Sequence, residues 1–478
     1  MQRETKIVAT LGPASSSPEI LEKMIQAGVD VVRLNFSHGT AQDHIDRANV
    51  VRATAAKAGK HVAIMADLQG PKIRVGKFEN SRVNLDVGQT FILDVNCLLG
   101  NEERVGLDYK ALPHDVRTGD LLLLADGLIQ LRVERVQGLE IYTTVIVGGE
   151  LSNNKGINRM GGGLTAPALP AKDMEDIRTA AQIGVEYLAV SFPKSGADMI
   201  TARNVMLACG GNAALIAKIE RAEAIATTEA LDDILQASDG IMVARGDLAV
   251  EVGPAAVPAL QKRMIKQARQ ANKLVITATQ MMESMINSPI PTRAEVSDVA
   301  NAVLDGTDAV MLSAESATGK YPVETITTMA QVCIEAERSS THALDNDFMN
   351  QTFTRIDQSI AMAALFTAYH LEAKAIVSLT QSGSTALWMS RHDGNVPVYA
   401  VTPDEHAARK MALYRNVRSL TMDTIYNRDD ALRAVEKLLL GQGVLQHGDT
   451  FIFTNGEPMG KSGGTNNMQI VRLGEHLL

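Results

Sequence analysis

Two short runs hold the residues whose types and spacing could do chemistry: Ala217-Lys218-Ile219-Glu220 and Met242-Val243-Ala244-Arg245-Gly246-Asp247. Each closes an apolar stretch that reads as a buried strand, 213–217 before the first and 241–244 before the second. Side chains alternate along a strand, so Lys218 and Glu220 emerge on one face and set an ammonium beside a carboxylate. A buried charge is costly unless it is paired or holds a metal. Two strand ends charged in this way point to a polar site. On these residues alone, a pair of structural salt bridges explains them equally well.

The 478 residues suggest about three domains of ordinary size. A hydrophobic fraction of 45% with 21% charged residues is the balance of a soluble globular protein with ample core. A net charge of −9 gives no general reason for nucleic-acid or membrane binding, so neither is expected as a partner. Cys97, Cys209 and Cys333 are far apart and odd in number, which argues against a disulfide framework and for a reducing compartment. No signal-like apolar region follows Met1 and no apolar run is long enough to span a bilayer, so the expected location is cytoplasmic.

The elements that must position the two runs follow a rhythm. Residues 6–10, 31–35 and 61–67 read as strands, separated by a helix opened by Ser17-Pro18-Glu19 and another over 41–58. From 71 to 163 the runs are short, alternating and broken by turn signals, which predicts an inserted small β-barrel. Its tail, Gly161-Gly162-Gly163, suits a hinge. The βα rhythm then resumes, with strands ending near Ser191, Lys218, Arg245, Thr277 and Ser313. With Thr10, Asn35 and Asp67 these make eight ends, 25 to 36 residues apart except for one gap of 124, about one unit plus the insert. Eight βα units predict a TIM (β/α)8 barrel, whose catalytic groups sit at the C-terminal strand ends. An open doubly wound sheet is the alternative. Every strand end is polar, which favours a site over isolated salt bridges. Beyond a polar linker at 337–355, strands at 375–379, 396–401, 417–422, 450–455 and 469–473 alternate with helical patterns and predict an open α/β domain over 356–478. The barrel would then comprise 1–70 and 164–340, with the insert at 71–163.

Several motifs occur along the chain in a fixed order. They are Arg33-Leu34-Asn35-Phe36-Ser37-His38-Gly39, Asp67-Leu68-Gln69-Gly70-Pro71-Lys72-Ile73-Arg74, the two opening runs, Thr277-Ala278-Thr279-Gln280, Pro291-Thr292-Arg293-Ala294-Glu295 and Met311-Leu312-Ser313-Ala314-Glu315. Together they resemble the pyruvate kinases. The resemblance implies a barrel with a mobile β lid and a C-terminal regulatory domain, usually a homotetramer. It implies phosphoryl transfer from phosphoenolpyruvate to ADP, giving pyruvate and ATP as the last step of glycolysis. Such transfer is mostly positioning and neutralisation of anionic oxygens. Under the resemblance Glu220 and Asp247 hold Mg²⁺, with Mn²⁺ as a substitute, and the other ligands come from substrate and water. Lys218 stabilises the transferring phosphoryl group and the enolate of pyruvate. Arg33 binds substrate, while Asn35, His38, Arg74 and Lys172 serve the nucleotide. Gly246 and Asp247 open a helix whose N–H groups suit the substrate carboxylate. Thr279 stands beside the enolate carbon, with a water chain through Ser313 as the proton source. Met281, Met282 and Met285 read as core.

One motif departs from the family. Asn35, Ser37 and Asp67 match the side chains that bind K⁺ in many members, but Lys72 stands where K⁺-dependent members have glutamate. An internal ammonium could serve the same anionic region, so K⁺-independent turnover is expected. In the third unit, Thr380-Gln381-Ser382-Gly383-Ser384-Thr385 follows a strand and opens a helix, and the family binds a sugar phosphate at this loop together with one resembling 460–465. Ser384 replaces an arginine there, which favours a sugar monophosphate or nucleotide monophosphate as effector. Two rivals stand beside this reading: an aldolase-type barrel with Lys218 as a Schiff base, and a degenerate sensor that keeps only the effector domain.

Overall fold

The computed structural model describes residues 3–339, 352–392, 394 and 396–475. Eight strands, Lys6–Thr10, Val31–Asn35, Ala63–Asp67, Tyr187–Val190, Ala214–Ile219, Gly240–Ala244, Leu274–Ala278 and Ala309–Leu312, pair in parallel and close into a barrel. Their near-continuous apolar sequences follow from burial on both faces. In the first strand Ile7 and Ala9 pack outward with the helices, while Val8 packs inward with Val31, Met65 and Tyr187. The barrel is therefore a TIM barrel and not a doubly wound sheet. Helix starts follow local chemistry: Ser17 caps Pro18–Ala27 by accepting from the Ile20 amide, and Thr40 with Asp43 forms a reciprocal box at Ala41–Lys57.

Between the third and fourth barrel strands the chain builds a six-stranded sheet and a separate two-stranded ribbon around one apolar core. Their hydrogen bonds do not close into the small barrel expected. At Gly148 and Gly149 the chain leaves the Glu140–Val147 strand and joins Arg82–Leu85 in the ribbon. A Cβ on Gly148 would lie 2.2 Å from the Leu85 carbonyl oxygen, so only glycine fits that crossing.

The C-terminal sheet has four parallel strands, Val417–Thr421, Val398–Thr402, Ala375–Leu379 and Thr450–Gly456, and an antiparallel edge strand Thr465–Arg472. That last strand is longer than the five residues expected, because it folds back on its predecessor as a hairpin. The expected linker also starts too early. Helix Pro322–Ser339 continues through Glu337, whose fully buried carboxylate accepts from the amides of Glu4 (3.0 Å) and Thr5 (2.7 Å). Residues 340–351 of that linker lie outside the described residues.

The C-terminal domain closes the N-terminal end of the barrel. The inner barrel side chains share one apolar cluster with Met411, Leu413 and Tyr414. Lys6 Nζ donates to the Val417 carbonyl (2.7 Å), the Tyr187 hydroxyl donates to that of Lys410 (2.5 Å), and buried Arg391 pairs with buried Asp308. The opposite end, where the strands finish, faces the β insert.

Candidate active site

Three strand ends, the third, fourth and fifth, meet at one ammonium. Lys218 Nζ donates to Ser191 Oγ at 2.8 Å and lies 2.9 Å from Glu220 Oε1 and 3.3 Å from Asp67 Oδ1. The period-2 geometry of the Ala214–Ile219 strand sets Lys218 beside Glu220, as its spacing predicts. Asp67 ends the third strand and also receives Arg33 Nε from the second at 2.5 Å, while Arg33 Nη1 donates to Thr10 Oγ1 at 3.0 Å. Glu220 Oε2 accepts the Phe192 amide at 2.9 Å.

The charges are unequally balanced. Burial works against the Lys218 charge, yet Asp67 and Glu220 outweigh it and hold the ammonium well above the ordinary lysine range. Burial would likewise raise Asp67, but Arg33 and Lys218 keep its carboxylate below its ordinary range. Glu220 moves the other way. Burial pushes it up to about 7, with Lys218 opposing and Asp247 adding to the rise. One ammonium is shared by two carboxylates, and Asp67 has Arg33 besides, so the uncompensated negative charge falls on Glu220 and Asp247. Excess charge on two hard oxygen donors is what a divalent cation relieves. Among the described residues no group of three or more His, Cys, Asp or Glu is placed to hold a metal ion.

Asp247 lies in the first turn of helix Arg245–Val252, directly after the sixth strand. The Gly246 amide, expected to face a substrate carboxylate, already donates to Thr279 Oγ1 at 2.9 Å. Thr279 in turn donates to the Ala278 carbonyl of its own strand at 2.6 Å, so its hydroxyl joins two neighbouring strand ends. Ser313 shares no hydrogen bond with Thr279; its amide donates to Glu315 Oε2 at 2.7 Å. Met281, Met282 and Met285 are fully buried core, as expected.

The nucleotide candidates are spread more widely. Lys172 donates to the Phe36 carbonyl at 2.7 Å and to Asp176 at 2.5 Å, which brings it to the loop holding Asn35, Ser37 and His38. There the Asn35 side chain accepts the Ser37 amide at 3.1 Å, and the His38 amide donates to the Asn35 carbonyl at 3.3 Å. Arg74 lies on the insert, where its backbone bridges Gly156 and its amide donates to Asp108. Lys72 is exposed and lines the cleft between insert and barrel with Asp126, Phe192, Arg221, Asp247 and Glu251. No hydrogen bond or ion pair joins it to Asn35, Ser37 or Asp67. Asp67 Oδ1 is buried, and its near partner is the Lys218 ammonium at 3.3 Å.

Reading the chain missed several contributors. Ser191 stood only as a strand end, yet its hydroxyl accepts from Lys218 and donates to the Leu68 carbonyl at 2.7 Å. Glu251, four residues after Asp247 on the same helix, has its carboxyl pushed up to about 7 by burial, with Glu223 and Asp247 adding to the rise. Its i, i+4 spacing was a signal available in the sequence. Arg221 is buried and donates at 3.1 Å to the carbonyl of Leu164, whose side chain packs in the insert's apolar core, a contact that no local pattern announces.

In the C-terminal domain Thr380, Ser384, Lys461 and Thr465 line a cavity of about 580 Å³, open mouth included. Thr385 is turned inward to share a 2.7 Å hydrogen bond with Thr465. Gly383 adopts φ 82° and donates to Thr380 Oγ1 at 2.9 Å, and neither it nor Ser382 lines the cavity.

The family model described as pyruvate kinase, barrel domain, matches residues 2–326, and that described as pyruvate kinase, alpha/beta domain, matches residues 358–471. The chain belongs to the pyruvate kinase family. It is 52% identical to pyruvate kinase II of Salmonella typhimurium over 98% of both chains. It is also 52% identical to a pyruvate kinase of Haemophilus influenzae, over 95% of this chain and 96% of that one. Among solved structures it resembles a pyruvate kinase from Cryptosporidium parvum, with TM-score 0.92 and 34% identity over 99% of this chain and 96% of that one. Membership makes it an enzyme, a phosphotransferase. No helix among the described residues is long and apolar enough to cross a membrane.

Proposed function

We propose that this chain transfers the phosphoryl group of phosphoenolpyruvate to ADP with Mg²⁺, giving pyruvate and ATP, as the final step of glycolysis in the cytoplasm. The observation that carries the reading is the Lys218 ammonium paired with both Asp67 and Glu220 at the mouth of the barrel. A Schiff-base lysine must lose its proton, and here two carboxylates hold that proton on, which disfavours the aldolase reading. The clustered Lys218, Glu220, Arg33 and Asp67 likewise disfavour a sensor that has lost its chemistry.

Lys218 and Arg33 bind the phosphoryl oxygens, and Lys218 then holds the developing enolate oxygen. Glu220 and Asp247 would hold Mg²⁺, which supplies neutralisation of the phosphoryl charge when bound. The substrate carboxylate competes for the Gly246 and Asp247 amides, so Thr279 releases Gly246 on binding and turns its hydroxyl toward the reacting carbon. A proton then reaches that carbon through water near Thr279 and Ser313. Lys172, His38 and Asn35 on the barrel rim and Arg74 on the insert close on the nucleotide from two sides.

K⁺ independence rests on Lys72, which lines the same cleft as Asp247 and makes no ion pair among the described residues. The C-terminal cavity suits a sugar monophosphate or nucleotide monophosphate, with Lys461, Thr380 and Ser384 for the phosphate. The edge strand Thr465–Arg472, with Ile470 exposed, leaves a pairing surface consistent with a homotetramer. The test is pyruvate formation from phosphoenolpyruvate as ADP and Mg²⁺ are each withheld and restored. The reaction should require both, and pyruvate release without ADP would refute the reading.

A further inference from the structure

We propose that Arg245 is a positioning residue for Thr279, holding the threonine's turn in the backbone conformation from which its hydroxyl meets the Gly246 amide in the free enzyme and the reacting carbon once substrate is bound. The inference rests on the reading of Thr279 given above.

Thr279 and Gln280 have φ values of 69° and 54°, both in the left-handed region. A β-branched residue rarely adopts that conformation, and no glycine stands in Ala278-Thr279-Gln280 to ease it. Such a turn persists only where its surroundings over-determine it. Arg245 supplies that constraint. Its Nε donates to the Ala278 carbonyl at 3.1 Å, and its Nη2 donates to the Thr279 carbonyl at 2.6 Å and lies 2.8 Å from Met281 Sδ. Its Nη1 is fixed on the far side by Asp298 Oδ1 at 2.7 Å, with Gln261 Oε1 at 3.4 Å.

The guanidinium thus touches residues 278, 279 and 281 from two nitrogens of one rigid fork, which a lysine ammonium cannot do. The next residue, Gly246, binds the side chain of the same threonine, and the one after it is Asp247. Three consecutive residues therefore grip the Thr279 backbone, grip its hydroxyl and present the candidate metal carboxylate. Arg245 fixes the distance between the proton-delivery end of the site and its metal end. A purely structural ion pair with Asp298, whose side chain is 37% exposed, would contribute little and would not need the contacts to the turn.

The test uses full-length R245K beside T279A, with kcat and KM for phosphoenolpyruvate, melting temperature, and exchange of the methyl protons of pyruvate with deuterated solvent followed by NMR. R245K should melt close to the parent and keep its KM within about threefold. Its kcat should fall roughly 100-fold, the usual effect of misplacing a reacting group by about 1 Å. Proton exchange should fall at least as far. If T279A loses exchange while R245K keeps both exchange and kcat, the inference is overturned and the reading of Thr279 stands. If T279A itself keeps exchange, that reading fails and takes the inference with it. A fall in kcat matched by equal losses in KM and melting temperature would show a general structural role and overturn the inference. R245Q is measured alongside by the same criteria in case R245K does not fold.

Discussion

Replacing Lys218 with methionine removes one charge while keeping a side chain of similar length. Nζ lies between 2.8 and 3.3 Å from three oxygens, so the ammonium is held in place before substrate arrives. Removing a preorganised charge stabiliser of this kind costs about 3–4 kcal/mol of barrier, two to three orders of magnitude in kcat. The substitution also strands two buried carboxylates. Breaking one partner of a buried pair costs about 3–5 kcal/mol of stability. Asp67 keeps Arg33 at 2.5 Å, and Glu220, already pushed up to about 7, can go neutral, so the loss should sit at the low end. The assay is ATP formation at saturating phosphoenolpyruvate, ADP and Mg²⁺, at a temperature where calorimetry shows both proteins folded. A folded Lys218→Met protein with kcat within tenfold of the parent would refute the reasoning.

Glu220→Gln should weaken apparent Mg²⁺ affinity by at least the roughly 10–100-fold that changes around metal ligands cause, read from Mg²⁺ titration of activity. Asp173 accepts the Gly70 amide at 2.9 Å where the insert leaves the barrel, and burial pushes its carboxyl from 3.8 to about 6. Its folded pKa is raised, so its contribution to stability is lost as pH rises through about 6, by roughly 3 kcal/mol. Asp173→Asn should therefore melt higher than the parent at pH 8 and show no advantage below pH 4; equal melting at both would contradict this. Turnover of the parent should change less than about twofold when K⁺ is omitted, given the charge Lys72 brings to the cleft, whereas Lys72→Glu should require added K⁺. Collapse of the parent without K⁺ would remove that role from Lys72.

What the chain reveals and what it hides follow from the range of the interactions. The eight strands are legible because burial on both faces makes each an unbroken apolar run, and Lys218 with Glu220 is legible because a strand has period 2. The sheet-switching of the insert is not, because it depends on how close Gly148 comes to Leu85, residues 63 apart in the sequence. Glu337 read as linker because its partners, the amides of Glu4 and Thr5, come from the other end of the chain. At the site, the same limit hid Ser191 and Arg245. Each acts through carbonyls or side chains on neighbouring strand ends, and nothing in Ser191-Phe192-Pro193 or Ala244-Arg245-Gly246 marks those contacts. Lys72 was legible as a departure in type, but its place in the cleft was not, since the insert's docking on the barrel sets it.

The most direct measurement follows the phosphoryl group itself. With enzyme, Mg²⁺, phosphoenolpyruvate and ADP, phosphorus NMR should show the phosphoenolpyruvate signal replaced by the γ-phosphate of ATP in equal amount, with one pyruvate formed for each. Release of inorganic phosphate instead, or borohydride trapping of pyruvate on Lys218 without any ATP, would contradict the central claim.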